Sequence, residues 1–478
     1  MRILRTPPGR GAVGVPVVLG AALATVAPLL VEGGVITGAL ANGLMWLPWV
    51  FTGVAVVLLV FEPGFVAMTE RTPTGGGLAS IVTAGLGRSG GTVAWYVALL
   101  AYGLLQVAAY GLAGTQFASF FAGYGHIHES WWAWALVAWV LVTVASQFKL
   151  LWIGIGLIAF TTGELVVSVL LSGSALAGSH HTAHALMTGH MSLSVVSAAI
   201  PVCVLGMVGF ETTALYKREV EHPRRTVSRA TTASLIAPAV LFVAASWAIV
   251  AHDGAQTTVL AAQGPGAFFG IGNHAESVAA NVLLNTSLLG GLIGYNQAWV
   301  RYAYNGAAVG MMPKVFSRTS PRGIHTSLTA LQAVCGLAAI AVTCWRHWDP
   351  FLQLFYIGGT LGGYGVLLLY VLTGVSVTAY FWRDRRGESI WVARICPTLA
   401  SAALLAMTVL ASWHFAQMIG VAPSDPTAVV LPLLYLITAL IGLAWALRVR
   451  RTAPRRYAEL AGAPAPQLVP ADAVAQEA

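Results

Sequence analysis

Apolar residues in this chain run in long blocks, broken by short polar stretches that hold most of the charge. Blocks of about 20 apolar residues are what a helix needs to cross a bilayer, where every backbone polar group must be satisfied within the segment. The pattern predicts about twelve such spans, at 16–42, 47–69, 92–122, 130–147, 150–172, 193–216, 231–251, 276–311, 325–345, 350–382, 391–417 and 427–447. Several exceed one bilayer width, which implies tilt or extension past the lipid. Residues 1–15 precede the first span and 448–478 follow the last. Beyond Tyr457 the sequence is rich in Ala and Pro without apolar periodicity, and a disordered tail is expected there.

Composition agrees with this reading. The chain has 478 residues, 57% of them hydrophobic and 9% charged, whereas a soluble domain carries about 25% charged residues. Its mean hydropathy is +0.76. An all-α integral membrane protein is expected, with little sequence left for a soluble domain. The formal charge of +8 would by itself suggest nucleic acid, but its placement argues for topology instead. If residues 1–15 are cytoplasmic, 23 of the 25 Lys and Arg fall in segments on that side; Arg301 lies within a span and Arg346 on the other side. The positive-inside rule then puts both termini in the cytoplasm, as in a multi-pass protein of the cytoplasmic membrane, and no nucleic-acid partner is needed. Cys203, Cys335, Cys344 and Cys396 fall in apolar runs without disulfide or metal spacing. The N-terminal MRILRTPPGR lacks an apolar signal core, so no removable signal peptide is expected.

One span departs from the plain pattern. In PVCVLGMVGFETTALYKREVEHPRRTVSR, residues 201–229, Gly206 and Gly209 fall within one turn, each costing about 1 kcal/mol relative to Ala. Glu211 adds an acid to the apolar run, at about 2.5–3.5 kcal/mol on insertion scales. The first span has a counterpart: Pro28 gives up its amide, and Gly33 with Gly34 weaken the helix soon after. Either the helix kinks simply at Pro28, or backbone groups near Ala27 to Leu30 are left free. Interruptions in the first and sixth spans are the mark of an inverted-repeat transporter with a midplane site. The repeats would be 16–172 and 193–382, followed by two further helices at 391–447.

The residues also carry a family resemblance. GFETTALYKREVEHPRRTVSRAT resembles the sixth-span signature of the amino acid/polyamine/organocation superfamily, whose Gly-Phe-Glu is followed by acids and then Pro-Arg-Arg-Thr. Ala27-Pro28-Leu29 with Gly33-Gly34, then Gly64-Phe65-Val66-Ala67-Met68 and the Gly75 to Gly77 loop, resemble the first two spans of the bacterial amino acid permease branch. Tyr102, Gln106 and Tyr110 resemble the third, NTSLLGGLIGYNQAWVRYAYNGAAVGMMP the eighth and DPFLQLFYIGGTLGGYGVLLLY the tenth. Single pieces are weak, but their joint order over roughly residues 15–385 is specific. The resemblance implies a five-plus-five inverted-repeat core, with discontinuous helices 1 and 6 and two further helices, that moves amino acids by alternating access. The alternative within the class is a polyamine or organic amine permease or exchanger. No cofactor or metal is implied; the partners are the bilayer, a small amino acid or amine, and a proton as coupling ion.

By the same resemblance, backbone around Ala27, Pro28, Leu29 and Leu30 and around Leu205, Gly206 and Gly209 would hold the substrate's carboxylate and amine. Half-helix N-termini favour anions, and C-terminal carbonyls favour cations. Phe210 would be an aromatic lid or a plain packing residue. Tyr102 and Gln106, one helical turn apart, would line the cavity or bond between helices. Glu211, at the sixth-span break, and Glu164, in mid-span, are the candidate proton-coupling acids; the other reading is a capping carboxylate and a buried tether, respectively.

Glu32 and Glu62 depart from the small or apolar residues of the branch. They would favour a cationic substrate if both face the cavity, or pair with Arg301, or lie near the outer surface. Asn285, Thr286 and Ser287 offer oxygens for sodium or ordinary interhelical bonds. NGAAVGMMP lacks the basic residue that usually precedes the turn after the eighth span, which leaves the charge pairing of the inner gate open. His180, His181, His184 and His190 share one loop without fixed ligand geometry; the readings are metal binding or pH sensing and a solvated loop, and the solvated loop is the expectation. No phosphate-binding loop, nucleophile with base partner or dinucleotide fingerprint occurs, which argues against an enzyme and against an ATP-driven pump. A non-transporting sensor or complex subunit is the reading from another class, but no output domain is visible.

Overall fold

A computed structural model describes residues 15–72, 77–147, 150–179, 192–216, 223–318, 320 and 325–460. The loop histidines 180, 181, 184 and 190, glycines 75 and 76, Lys149, Lys217 and Arg218, and most of both terminal segments lie outside the described residues.

Long apolar runs become helices here because each satisfies its own amides, and no strand occurs among the described residues. The principal helices are α1 (Val15–Val26), α2 (Leu47–Arg71), α3 (Gly77–Gly125), α4 (Trp131–Ala145), α5 (Leu150–Gly178), α6 (Leu193–Met207), α7 (Pro223–Asp253), α8 (His274–Ala308), α9 (Thr326–Trp345), α10 (Gly358–Arg383), α11 (Cys396–Trp413), α12 (Thr427–Thr452) and the short α13 (Pro454–Glu459). Past α1 the first span continues through Pro28–Leu30, a π-helical stretch Val31–Ile36 and Thr37–Ala41. Span 6 continues past α6 as a tight 3-10 turn, Phe210–Tyr216.

Among the described residues, eleven helices are long and apolar enough to cross a membrane. The one expected span outside these eleven, 130–147, is α4, which has 15 residues and is short for a straight crossing. α3 begins fifteen residues before the expected 92, because residues 77–86 are helical too. Gly87 separates the two parts at φ 81°. The glycine-rich sequence hides this stretch, since Gly disfavours helix. Tertiary contact holds it: a Cβ on Gly85 would lie 2.1 Å from the Ser376 carbonyl oxygen, so α3 and α10 meet backbone to backbone.

Burial separates the centre from the lipid face. α3, α6 and α10 are rich in fully buried side chains, whereas α12 exposes Val429, Val430, Leu436, Ile437, Leu440 and Ile441. α12 is anchored through Tyr435, whose hydroxyl donates to the Leu361 carbonyl at 2.9 Å. Ala428, Ala446 and Val449 are buried with it, and most of the larger apolar side chains of α12 face outward, as on a lipid-facing helix. At one end of the bundle lie Arg71 with Glu388 at 2.8 Å, Arg383 donating to the Gly85 carbonyl, Arg88 over the Tyr457 ring and Arg456 bonded to the Gly310 carbonyl. We refer to this as the arginine-rich face.

Candidate functional site

Two helix interruptions meet in the middle of the bundle. α1 stops because Ala27 takes the left-handed conformation (φ 52°, ψ 73°), one residue before Pro28 opens the next helical turn. Pro suits that first position, where its missing amide has no helical partner to lose. The next two amides do need partners. Leu29 N donates to Glu164 Oε2 on α5 at 3.3 Å, and Leu30 N donates to Ser287 Oγ on α8 at 3.2 Å. The Ser287 hydroxyl then donates to the same Glu164 oxygen at 2.7 Å. A carboxylate thus sits at the N-terminus of the half-helix, where the helix dipole favours it.

Span 6 breaks differently. Val208 is extended (φ −64°, ψ 129°) after α6, and Gly209 follows at φ 133°. The Gly209 amide donates to Glu211 Oε2 at 3.0 Å. Tyr370 donates to that oxygen at 3.1 Å from α10, and Tyr102 donates to the other at 2.6 Å from α3. The breaks touch: a Cβ on Gly209 would lie 2.9 Å from the Val26 amide nitrogen, while one on Gly206 would meet Phe51 and Val31 at 3.1 Å.

Both ends of this centre are covered. Toward the arginine-rich face, Tyr102 stacks on Tyr302 with centroids 5.2 Å apart. The Tyr302 hydroxyl accepts from the Leu78 amide at 3.2 Å. Phe210 is fully buried, between Phe65 at 6.0 Å and Tyr370 at 5.4 Å. At the opposite end the loop before α8 closes over span 1, with Gly266 N donating to the Gly33 carbonyl at 2.9 Å and Phe268 and Phe269 buried beneath it.

With this geometry in view, the family comparison decides the class. The family model described as amino acid permease matches residues 16–443. The chain belongs to the amino acid permease family. It is therefore a multi-pass membrane protein of a transporter family within the amino acid/polyamine/organocation superfamily. No curated protein matches the sequence.

The permease brings some expected site residues together and separates others. Leu29, Leu30 and Glu164 form one constellation, and Gly209, Glu211 and Tyr102 another. Leu205, Gly206 and Phe210 line the seam between them as buried packing residues. Gln106 lies one turn from Tyr102 but donates to Tyr110 of its own helix at 3.2 Å. Neither Glu32 nor Glu62 pairs with Arg301. Glu32 accepts from Ser168, and Glu62 accepts from Thr232 at 3.0 Å. Of the three candidate sodium oxygens, Ser287 serves Glu164, Thr286 caps the Leu283 carbonyl and the Asn285 amide bonds the Asn281 carbonyl.

Tyr370, Tyr302, Tyr356 and Thr360 escaped the sequence reading. Tyr356 and Thr360, with the Gln106 side-chain oxygen, are buried polar groups without a partner among the described residues. All three lie on α3 or in the tenth span, and an unpartnered buried polar atom costs roughly 1–3 kcal/mol. Their spacing offered a weak signal, since Tyr356 and Thr360 are one helical turn apart in an apolar run.

Proposed function

We propose that this permease is a secondary active transporter that moves amino acids across the cytoplasmic membrane by alternating access, coupled to protons. One observation carries the reading. A buried carboxylate stands at each of the two touching breaks, and neither Glu164 nor Glu211 makes an ion pair among the described residues.

The coupling follows from competition for the half-helix amides. A substrate carboxylate would be drawn to the Leu29 and Leu30 amides, the positive end of the distal half of span 1. In the closed state Glu164 already occupies Leu29. Two carboxylates repel at one helix end, so entry of the substrate anion is favoured when Glu164 takes up a proton and becomes neutral. The substrate ammonium would take carbonyls at the C-terminal ends of α1 and α6, near Leu205 and Gly206. The unpaired polar atoms of Gln106, Tyr356 and Thr360 support a polar ligand beside α6.

Glu211 acts on closure. While ionised it gathers Tyr102, Tyr370 and the Gly209 amide, and Tyr102 stacks on Tyr302, which holds Leu78. Protonation weakens these charge-assisted bonds and loosens the seal toward the arginine-rich face. In this scheme residues 16–172 and 193–382 are two repeats of opposite topology, 391–447 adds two helices, and the arginine-rich face with both termini is cytoplasmic.

The test uses purified protein in liposomes with a labelled amino acid panel. An inward proton gradient should drive accumulation above equilibrium, and Glu164→Gln should abolish accumulation while exchange of labelled for unlabelled substrate continues. Equal uptake with and without the gradient would overturn proton coupling.

A further inference from the structure

Glu32 faces a space separate from the breaks. It lies in the π-helical stretch of span 1, its carboxylate accepts from Ser168, and it lines a narrow cavity of about 330 Å³, mouth included. The walls come from α5, α7 and the loop before α8, with Ser172, Ala248, Ile249, Phe268 and Phe269 around the acid. Glu32 is 5% exposed and Ser172 9% exposed. The Ser172 side chain lines the same cavity. Among the described residues no Lys, Arg or His lines the cavity. Glu164, four residues before Ser168 on the same helix, is a second acid and no counter-charge. An acid so placed is relieved either by a proton or by a counter-charge, because desolvating an unpaired ion costs several kcal/mol. The other walls are apolar and aromatic, and aromatic faces attract cations.

We propose that this cavity binds the ammonium group of a primary amine. Glu32 provides the charge contact, Ser168 fixes the carboxylate, and Ser172 accepts one of the three ammonium hydrogens. A narrow space admits an ammonium on an unbranched chain and excludes a quaternary one. The site lies apart from the ammonium end of the proposed substrate site, since besides Glu32 its walls are α5, α7 and a loop rather than α3, α6 and the tenth span.

The experiment measures thermal unfolding of the purified full chain against n-propylammonium, tetramethylammonium and sodium chlorides at matched ionic strength and fixed neutral pH. A saturable rise in the midpoint is expected with n-propylammonium alone. Glu32→Gln should weaken it by about tenfold or more and Ser172→Ala by about threefold. Ala248→Leu, which fills the cavity and leaves the acid in place, should abolish it. Glu62→Gln, at a buried acid elsewhere, should leave it intact. An unchanged response in both Glu32→Gln and Ala248→Leu would place the amine at another site. No saturable response in the unaltered protein would mean that Glu32 carries a proton instead of a ligand. Either result overturns the proposal, and neither bears on the liposome transport result.

Discussion

At the break of span 1 the exposed amides of Leu29 and Leu30 are satisfied from α5 and α8, by partners 135 and 257 residues away. At the break of span 6 the Gly209 amide is satisfied by Glu211, two residues on. The first arrangement makes the half-helix N-terminus depend on how α5 and α8 sit against span 1. The second is local, and its carboxylate then reaches outward to α3 and α10. A change at the first break must therefore be felt between helices. At the second, the turn itself is self-contained and the tyrosines report its charge.

The largest effects should come from the backbone contact shared by the two breaks. Gly209→Ala forces an L side chain to φ 133° with its Cβ 2.9 Å from the Val26 nitrogen, and about 3 kcal/mol or more should be lost. Gly206→Ala meets only the side chains of Phe51 and Val31 and gains helix propensity, so a change within about 1 kcal/mol is expected. Thermal unfolding in detergent ranks the pair, and equal effects would mean that the breaks do not touch as described. Next in size, Glu164→Ala removes the acceptor of both the Leu29 amide and Ser287 and should cost about 1–3 kcal/mol. Glu164→Gln keeps an acceptor oxygen and should cost less than half of that. If the two variants are equally destabilised, the ionised form is what holds the break.

Much of this was legible beforehand, because lipid imposes a rule that sequence can be read against. The spans, the pause at Ala27-Pro28 and the glycines of span 6 all follow from the need to satisfy backbone groups internally. Glu164 and Glu211 stood out as acids in apolar runs. What each acid touches was not legible: Ser287 and Leu29 meet Glu164 only through the packing of α5 and α8 on span 1. The polar row Glu164, Ser168 and Ser172, spaced by four residues on α5, did carry a readable signal, since residues so spaced share one helix face. Residues 77–86 were hidden for the opposite reason, because their glycines lower local helix preference while tertiary contact at Gly85 overrides it.

The smallest effects separate the two tyrosines on Glu211. Tyr102 donates at 2.6 Å to an oxygen on which no other side chain among the described residues donates, whereas Tyr370 donates at 3.1 Å to one that also holds the Gly209 amide. Hydrogen bonds inside membrane proteins average about 0.6 kcal/mol and reach about 1.7. Tyr102→Phe should fall near the upper figure and Tyr370→Phe near or below the average. In Glu211→Gln both differences should shrink, because the charge that strengthens these bonds is gone. A double-mutant cycle on unfolding midpoints checks this. If Tyr102→Phe costs as much with Gln at position 211 as with Glu, its role is ring packing against Tyr302, and the second break is held by shape instead of charge.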